Sequence, residues 1–314
     1  MNFQQLRIIR ETVRRNFNLT EAANALYTSQ SGVSKHIKDL EDELGVELFV
    51  RRGKRLTGLT EPGKELAQMV ERMLLEAANI KRLADQFSQK DEGRLTIATT
   101  HTQARYALPQ VVSRFKQDFP RVHLVLLQGG PGEIVDLLNS GEADVGIATE
   151  ALEGVQSLAS FPYYSWHHTV IVPVGHPLLE RQEPLTLEAI AEHPIITYHE
   201  GFTGRASIDQ TFAQAGLAPD IVMAALDADV IKTYIELGLG IGIIASMAYN
   251  PERDHNLRLI DSEHLFKANT TRIAVRKGHY LRGYAYRFIE HCAPVLTEVV
   301  VKNALAPAKG LEIE

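Results

Sequence analysis

From Gly93 onward the chain abandons helical spacing for short, nearly continuous apolar runs separated by amphipathic stretches, and this change of period limits the fold more than any other feature. Leu95–Thr99 reads as a strand, Gln103–Phe119 as a helix ended by Pro120, Val122–Leu127 as a strand, Glu133–Ser140 as a helix stopped by Gly141, and Ala143–Ala148 as a third strand. Further strands are expected at 168–174, 195–198, 221–225, 241–245 and 272–275, and further helices at 187–192, 207–214, 229–237 and 281–292. Strands apolar on both faces that alternate with helices imply a parallel-rich α/β architecture. The ~220 residues involved are enough for two similar lobes.

Ligands of such folds sit where loops leave the C-terminal ends of strands and helices begin. Four stretches have that form. Thr99-Thr100-His101-Thr102-Gln103 lies between the first strand and its helix, and its hydroxyls, amide and free helix N–H groups make a neutral, donor-rich nest suited to a small anion. Ala148-Thr149-Glu150, Gly201-Phe202-Thr203-Gly204-Arg205 and Asp227-Ala228-Asp229 are the others. Any one of them alone can be plain N-capping by Thr or Asp. Two or more converging on one cleft would make a ligand site.

The amino-terminal part is of a different kind. Residues 19–40, LTEAANALYTSQSGVSKHIKDL, read as two short helices joined by a tight turn. Leu19, Ala22, Ala23 and Leu26 form the apolar face of the first, Val33, Ile37 and Leu40 that of the second, with Thr20 and Ser29 as expected caps. The turn and the second helix then present Thr28, Ser29, Gln30, Ser31, Ser34, Lys35 and Lys38, the chemistry of a recognition helix: Gln and Ser for base edges, Lys for guanine or phosphate. An ordinary helical hairpin with a solvated face is the alternative. After a helical pattern over Leu40–Phe49, Arg51-Arg52-Gly53-Lys54-Arg55 places four cations around a glycine that can take a positive φ. A basic hairpin tip beside a recognition helix is a wing, and its cations would reach sugar-phosphate rather than bases.

Pro62-Gly63 opens a long helical stretch to about Ser88, in which Leu66, Val70, Met73, Ala77, Ile80, Ala84 and Phe87 recur at four and three residues. Such a seam suits pairing with a second copy, and packing within the chain is the alternative. Charge divides the same way. Residues 1–90 hold 15 Lys+Arg and 12 Asp+Glu, about +3, and the remainder 18 and 27, about −9, together the −6 of the whole chain. A basic head on an acidic body fits a modular binder.

Several other classes find no support. The single Cys292 excludes an internal disulfide and a CxxC knuckle, and is read as a buried thiol. The twelve histidines, the adjacent His167 and His168 included, show no HExxH or other zinc spacing, so no metal is expected. Gly238-Leu239-Gly240-Ile241-Gly242 fails the dinucleotide pattern because Ile243 follows, and it reads as a tight helix-to-strand turn. No GxSxG elbow or based nucleophile points to an enzyme, and no cofactor is implied. The opening MNFQQLRIIR is an amphipathic helix rather than a secretory signal, and no apolar run approaches a membrane span, so a cytoplasmic location is expected.

With these residues in view, TEAANALYTSQSGVSKHIKDLEDELGVELFVRRGKRLTGLTEPGKEL resembles the winged helix-turn-helix of the LysR-type transcriptional regulators, departing at Ser31 where many relatives carry Pro. TTHTQARYALP, ATEAL, GFTGR and DADVIKTYIELGLGIGIIASMA resemble the CysB/Cbl subgroup of that family. The resemblance implies an α/β protein with a winged helix-turn-helix at 1–60, a dimerising linker helix at 61–89, a two-lobed effector domain like type II periplasmic binding proteins at 90–300, and a tail at 301–314. Lobe I would take about 90–162 and 268–300, lobe II about 163–267. The resemblance further implies promoter DNA as a partner, a second copy with assembly to a tetramer, contact with RNA polymerase, and control, as an activator, of sulfur assimilation and cysteine biosynthesis. A small acidic effector would act on it: N-acetylserine, O-acetylserine, sulfate, or, for a Cbl-like role, adenosine phosphosulfate. Carried over by position, the effector site falls on Thr100, Thr102, Gln103, Thr149 and Thr203. A solute-binding protein for transport would share the lobes but not the basic head.

Overall fold

The computed structural model describes residues 1–53, 55–88 and 92–305, the side chains of 85–88 excepted. It divides into two compact units, Met1–Asp85 and Gln86–Glu314.

The first unit holds α1 (Phe3–Arg14), α2 (Leu19–Ala25), α3 (Gln30–Leu44), the hairpin β1 (Phe49–Arg52) and β2 (Arg55–Leu59), and most of α4 (Glu61–Ser88). Asn2 and Gln5 close a capping box on α1. Ser29 Oγ accepts the Gly32 amide at 3.1 Å and caps α3 as expected. Thr20 does not cap α2. Asn18 Oδ1 does, accepting from the amides of Thr20 and Glu21, because Asn18 stands at the extended position from which a side chain reaches the second and third N–H groups. Nor does the helical pattern run to Phe49: Gly45, at φ +70°, ends α3, and Leu48 and Phe49 lead into the wing. Leu6, Ile9, Val33, Ile37, Leu40 and Phe49 are almost fully buried, each contributing roughly 1.5–3 kcal/mol by leaving water.

The expected seam on α4 is split. Val70 and Leu74 are buried in the core of this unit with Leu66 packed against it, which leaves Met69, Met73, Ile80 and Leu83 as the exposed apolar side chains. These four keep spacings of four, seven and three; Met73 and Ile80 belong to the expected seam, and Met69 and Leu83 stand one position before its Val70 and Ala84. The Phe87 side chain lies outside the described residues.

The second unit contains β3 (Gly93–Thr99), α5 (Pro109–Asp118), β4 (Val122–Gln128), α6 (Pro131–Ser140), β5 (Val145–Ala148), β6 (Leu158–Trp166), β7 (His168–Pro173), α7 (Leu187–Ala191), β8 (Ile195–Tyr198), α8 (Arg205–Gln214), β9 (Ile221–Ala225), α9 (Ala228–Glu236), β10 (Ile241–Ala245), β11 (Leu257–Ile260), β12 (Asn269–Arg276), α10 (Gly283–Cys292) and α11 (Glu298–Leu305). Two five-stranded sheets result, ordered β4-β3-β5-β12-β6 in lobe I and β11-β7-β10-β8-β9 in lobe II. The first three strands of lobe I pair in parallel, as do β10, β8 and β9 of lobe II, while β12 and β7 pair antiparallel. The chain crosses to lobe II after Trp166 and returns at Asn269, so lobe I extends a few residues beyond the expected boundary at 162.

One expected helix is interrupted. Gln103–Ala107 winds as a single π-type turn, and α5 begins separately with Pro109 at its first position. Proline has no amide to give to a preceding turn but suits a helix start. The 238–242 glycines make the expected turn: Gly238 has φ +78°, and a Cβ on Gly240 would sit 2.3 Å from the Pro194 carbonyl oxygen.

Candidate functional site

Two regions carry the sequence-predicted residues, and each lies within one unit. In the first unit, Thr28, Gln30, Ser31, Lys35 and Lys38 are exposed and Ser34 half-buried along α3. Ser29 is committed to its cap. Gly53, at φ +61°, turns the wing, with Arg52 opposite Arg55 in the ladder; Lys54 lies outside the described residues. The side chains of Lys35, Lys38, Arg52 and Arg55 make no hydrogen bond or ion pair to another described residue. Arg51 differs. It donates to Glu41 Oε2 at 2.8 Å, while Glu41 Oε1 accepts the buried amides of Leu48 and Phe49 at 2.8 and 3.2 Å. Arg51 therefore pins the base of the hairpin onto α3 instead of standing free at its tip. Sequence reading passed over Tyr27, which sits in the turn before α3 at φ +52° with 98% of its surface exposed. A bulky residue held there costs conformational energy without packing anything.

In the second unit, the loops after β3 and β5 of lobe I face the loop before α8 of lobe II. Thr102 and Thr203 meet across the lobes, Oγ1 to Oγ1, at 3.3 Å. Thr203 has a positive φ of +44°, which aims its carbonyl at His168, whose Nε2 lies 3.0 Å away. Asn269 Nδ2 lies 3.3 Å from His168 Nδ1. Burial brings His168 down to about 4, so the ring is neutral, with Nε2 donating and Nδ1 accepting. Gln103 and Thr149 converge on Thr271 of β12: Gln103 Nε2 donates to its Oγ1 at 3.2 Å, and Thr149 Oγ1 lies 3.2 Å from it. Trp166 Nε1 donates to the same oxygen at 3.1 Å, and the Tyr164 hydroxyl donates to Gln103 Oε1 at 2.6 Å. Thr100 is buried at the start of the same loop, its carbonyl accepting the Ala104 amide. Thr271, Tyr164 and Trp166 were not expected at the site, because nothing local marks residues that reach it only through strand pairing.

Outside this hydroxyl cluster a cleft of about 840 Å³ opens between the lobes, lined by His101, Gln128–Glu133, Glu150, Ala151, Gly201, Phe202, Leu226 and Asp227. Behind the lining residue His101 stands Asp229 of α9, which accepts from Tyr106 at 2.8 Å and from Arg105 at 3.3 Å, with His101 Nε2 3.3 Å away. Burial pushes the Asp229 carboxyl up, but these donors and Lys232 outweigh it and hold it below the usual carboxylate range. His101, Asp227 and Asp229 bring three potential metal donors within 4.8 Å of one another. The cations already paired with Asp229 make this an interlobe ion-pair cluster. The chemistry available in the cleft is therefore hydroxyl, amide and backbone donation to an anionic group, with no nucleophile held against a base among the described residues.

Comparison with known proteins agrees with both regions. Residues 3–64 match the bacterial regulatory helix-turn-helix protein, lysR family, and residues 88–297 match the LysR substrate binding domain. The transcriptional regulator SsuR of Burkholderia cenocepacia is 63% identical over 98% of this chain and 100% of its own length. CysB of the same organism is 54% identical, covering 97% of each chain. The solved cofactor-binding domain of the Cbl transcriptional regulator superposes with a TM-score of 0.67 at 49% identity, over 69% of this chain and 95% of that one.

Proposed function

We propose that this chain, which belongs to the LysR family of bacterial helix-turn-helix transcriptional regulators, couples an anionic effector held between its lobes to the way its winged heads sit on promoter DNA. It is a DNA-binding regulator of the SsuR, CysB and Cbl kind, and its relatives are regulators rather than enzymes. The observation that carries the proposal is the convergence of Thr102 and Thr203, from opposite lobes, on one point. Donors on both lobes let a ligand favour the closed arrangement, and a ligand shifts an equilibrium only by binding one state better.

On this reading Gln30, Ser31, Ser34, Lys35 and Lys38 reach into the major groove, while Thr28, Arg52, Lys54 and Arg55 hold phosphate. Tyr27 joins them as an exposed ring beside the sugar-phosphate. Arg51 supports the wing from behind. Two copies joined through Met69, Met73, Ile80 and Leu83 would place two recognition helices in successive major grooves, and two such dimers would make the tetramer. The regulated genes are those of sulfur assimilation, the protein acts as an activator in contact with RNA polymerase, and its place is the cytoplasm.

The effector is a small acidic molecule held by Thr100, Thr102, Gln103, Thr149 and Thr203. The greater identity to SsuR than to CysB favours control of alternative sulfur-source genes; a Cbl-like role would bring adenosine phosphosulfate as effector, a CysB-like role acetylserine. Parallel binding isotherms with N-acetylserine, O-acetylserine, sulfate and adenosine phosphosulfate decide between them. Tightest binding of adenosine phosphosulfate supports the first; tightest binding of either acetylserine reverses the choice.

A further inference from the structure

Glu150 places an acidic side chain against the donor nest. It leaves β5 directly after Thr149, and its Oε1 accepts the amide of Gly204, which directly follows Thr203 on the opposite lobe. Its other oxygen, Oε2, is buried and has no hydrogen-bond partner among the described residues. None of the described residues lining the cleft is Lys or Arg, and Arg205, next in sequence to Gly204, is turned away onto the Tyr198 carbonyl at 2.6 Å and Asp209 at 2.7 Å. Burial pushes the Glu150 carboxyl up, against the pull of the Gly204 amide and of its own backbone amide. A buried carboxylate with one oxygen lacking a hydrogen-bond partner among the described residues is costly to keep, and simple N-capping of α8 would be served by Ser, Thr or Asn without the charge.

We propose that Glu150 is an internal rival for the effector's anionic group: its carboxylate holds the Gly204 amide, and an incoming anion takes that donor only by displacing it. The inference rests on the Thr102–Thr203 cradle being the effector site. Its consequence is that the cleft is set to a weaker anion affinity than its donors alone would give. Inorganic sulfate and other bare oxyanions are held loosely, and an effector must bring further contacts along the cleft to overcome the carboxylate. Displacement also breaks one lobe-to-lobe bond as the ligand makes others, so occupancy and the interlobe contact are exchanged at a single donor.

The test is calorimetric titration of sodium sulfate into the full chain, at constant ionic strength and about pH 8, to favour the ionised carboxylate. Glu150→Gln keeps an acceptor for Gly204 and removes the charge, and it should bind sulfate roughly tenfold or more tighter than the parent. Glu150→Ala should also bind more tightly, which guards against a fault peculiar to the amide. Thr102→Ala should weaken sulfate binding in the parent and in the Glu150→Gln background alike. If Thr102→Ala weakens sulfate while both Glu150 variants bind it no better than the parent, the rival role is overturned and the cradle stands. If sulfate uptake is missing throughout, or is indifferent to Thr102→Ala, the cradle falls and the rival with it.

Discussion

Thr102 and Thr203 stand on opposite lobes, 101 residues apart in sequence, with their hydroxyl oxygens 3.3 Å apart. Each is nearly excluded from solvent, and each lies beside a residue that makes its own crossing contact, His101 to Asp229 and Gly204 to Glu150. A ligand group entering between the two hydroxyls would be grasped by both lobes at once.

Removing one of these hydroxyls should therefore cost affinity without unfolding the unit. Thr102→Ala is expected to weaken effector binding about tenfold, the value of one hydrogen bond to a charged group. Gln103→Ala should cost at least as much, because it also strips partners from Tyr164 and Thr271. Calorimetry with the tightest effector checks both, and thermal melting separates lost contacts from lost fold.

His168 predicts a pH dependence of stability. Its folded value of about 4 lies below the ordinary value of 6.5, so between these limits the unfolded chain binds the extra proton. Stability from this group is complete above about pH 6.5, falls as pH drops, and is spent below about 4, a loss of up to ~3 kcal/mol. Melting curves across that window should show Thr203-loop stability falling in the parent more steeply than in His168→Gln, whose side chain does not titrate.

Most of the cradle was legible from the chain because loop-to-helix junctions announce themselves. Hydroxyls after an apolar strand and before an amphipathic stretch mark Thr100, Thr102 and Gln103, and Gly201 and Gly204 mark the loop around Thr203. Its supports were not. Thr271 reaches Thr149 and Gln103 across 122 and 168 residues, distances set by a crossover and return that no local pattern encodes. Strand β6 escaped notice for a different reason: it is an edge strand, exposed at Pro162 and Ser165, with Pro162 beside a bulge in its pairing with β12, where proline is tolerated and apolar continuity is lost. On α4 the expected seam divides: Val70 serves the core of the first unit, Met73 and Ile80 stay exposed beside Met69 and Leu83, and only packing reveals which side chains are left over.

The wing separates two arginines adjacent in sequence. Arg52→Ala should lower DNA affinity similarly on all sequences and reduce the slope of log affinity against log salt by about 0.9. Arg51→Ala should instead lower the melting temperature of the head, because Glu41 loses its partner beside two buried amides. Fluorescence anisotropy over a salt series, read beside melting curves, distinguishes the two.

The exposed stripe of α4 makes a prediction about assembly. Ile80 is 68% exposed and Met73 42%. Ile80→Asp should shift sedimentation toward the single chain, and Val70→Asp, directed into the core of the first unit, should unfold that unit before it changes assembly.

The central claim is that the cleft governs the head, and footprinting on a promoter fragment with the full chain tests it most directly. The effector should change the length or pattern of protection by the parent protein at unchanged occupancy, and Thr102→Ala should protect the same fragment with no response to effector. An identical footprint with and without effector in the parent, or a full response in Thr102→Ala, would contradict the account.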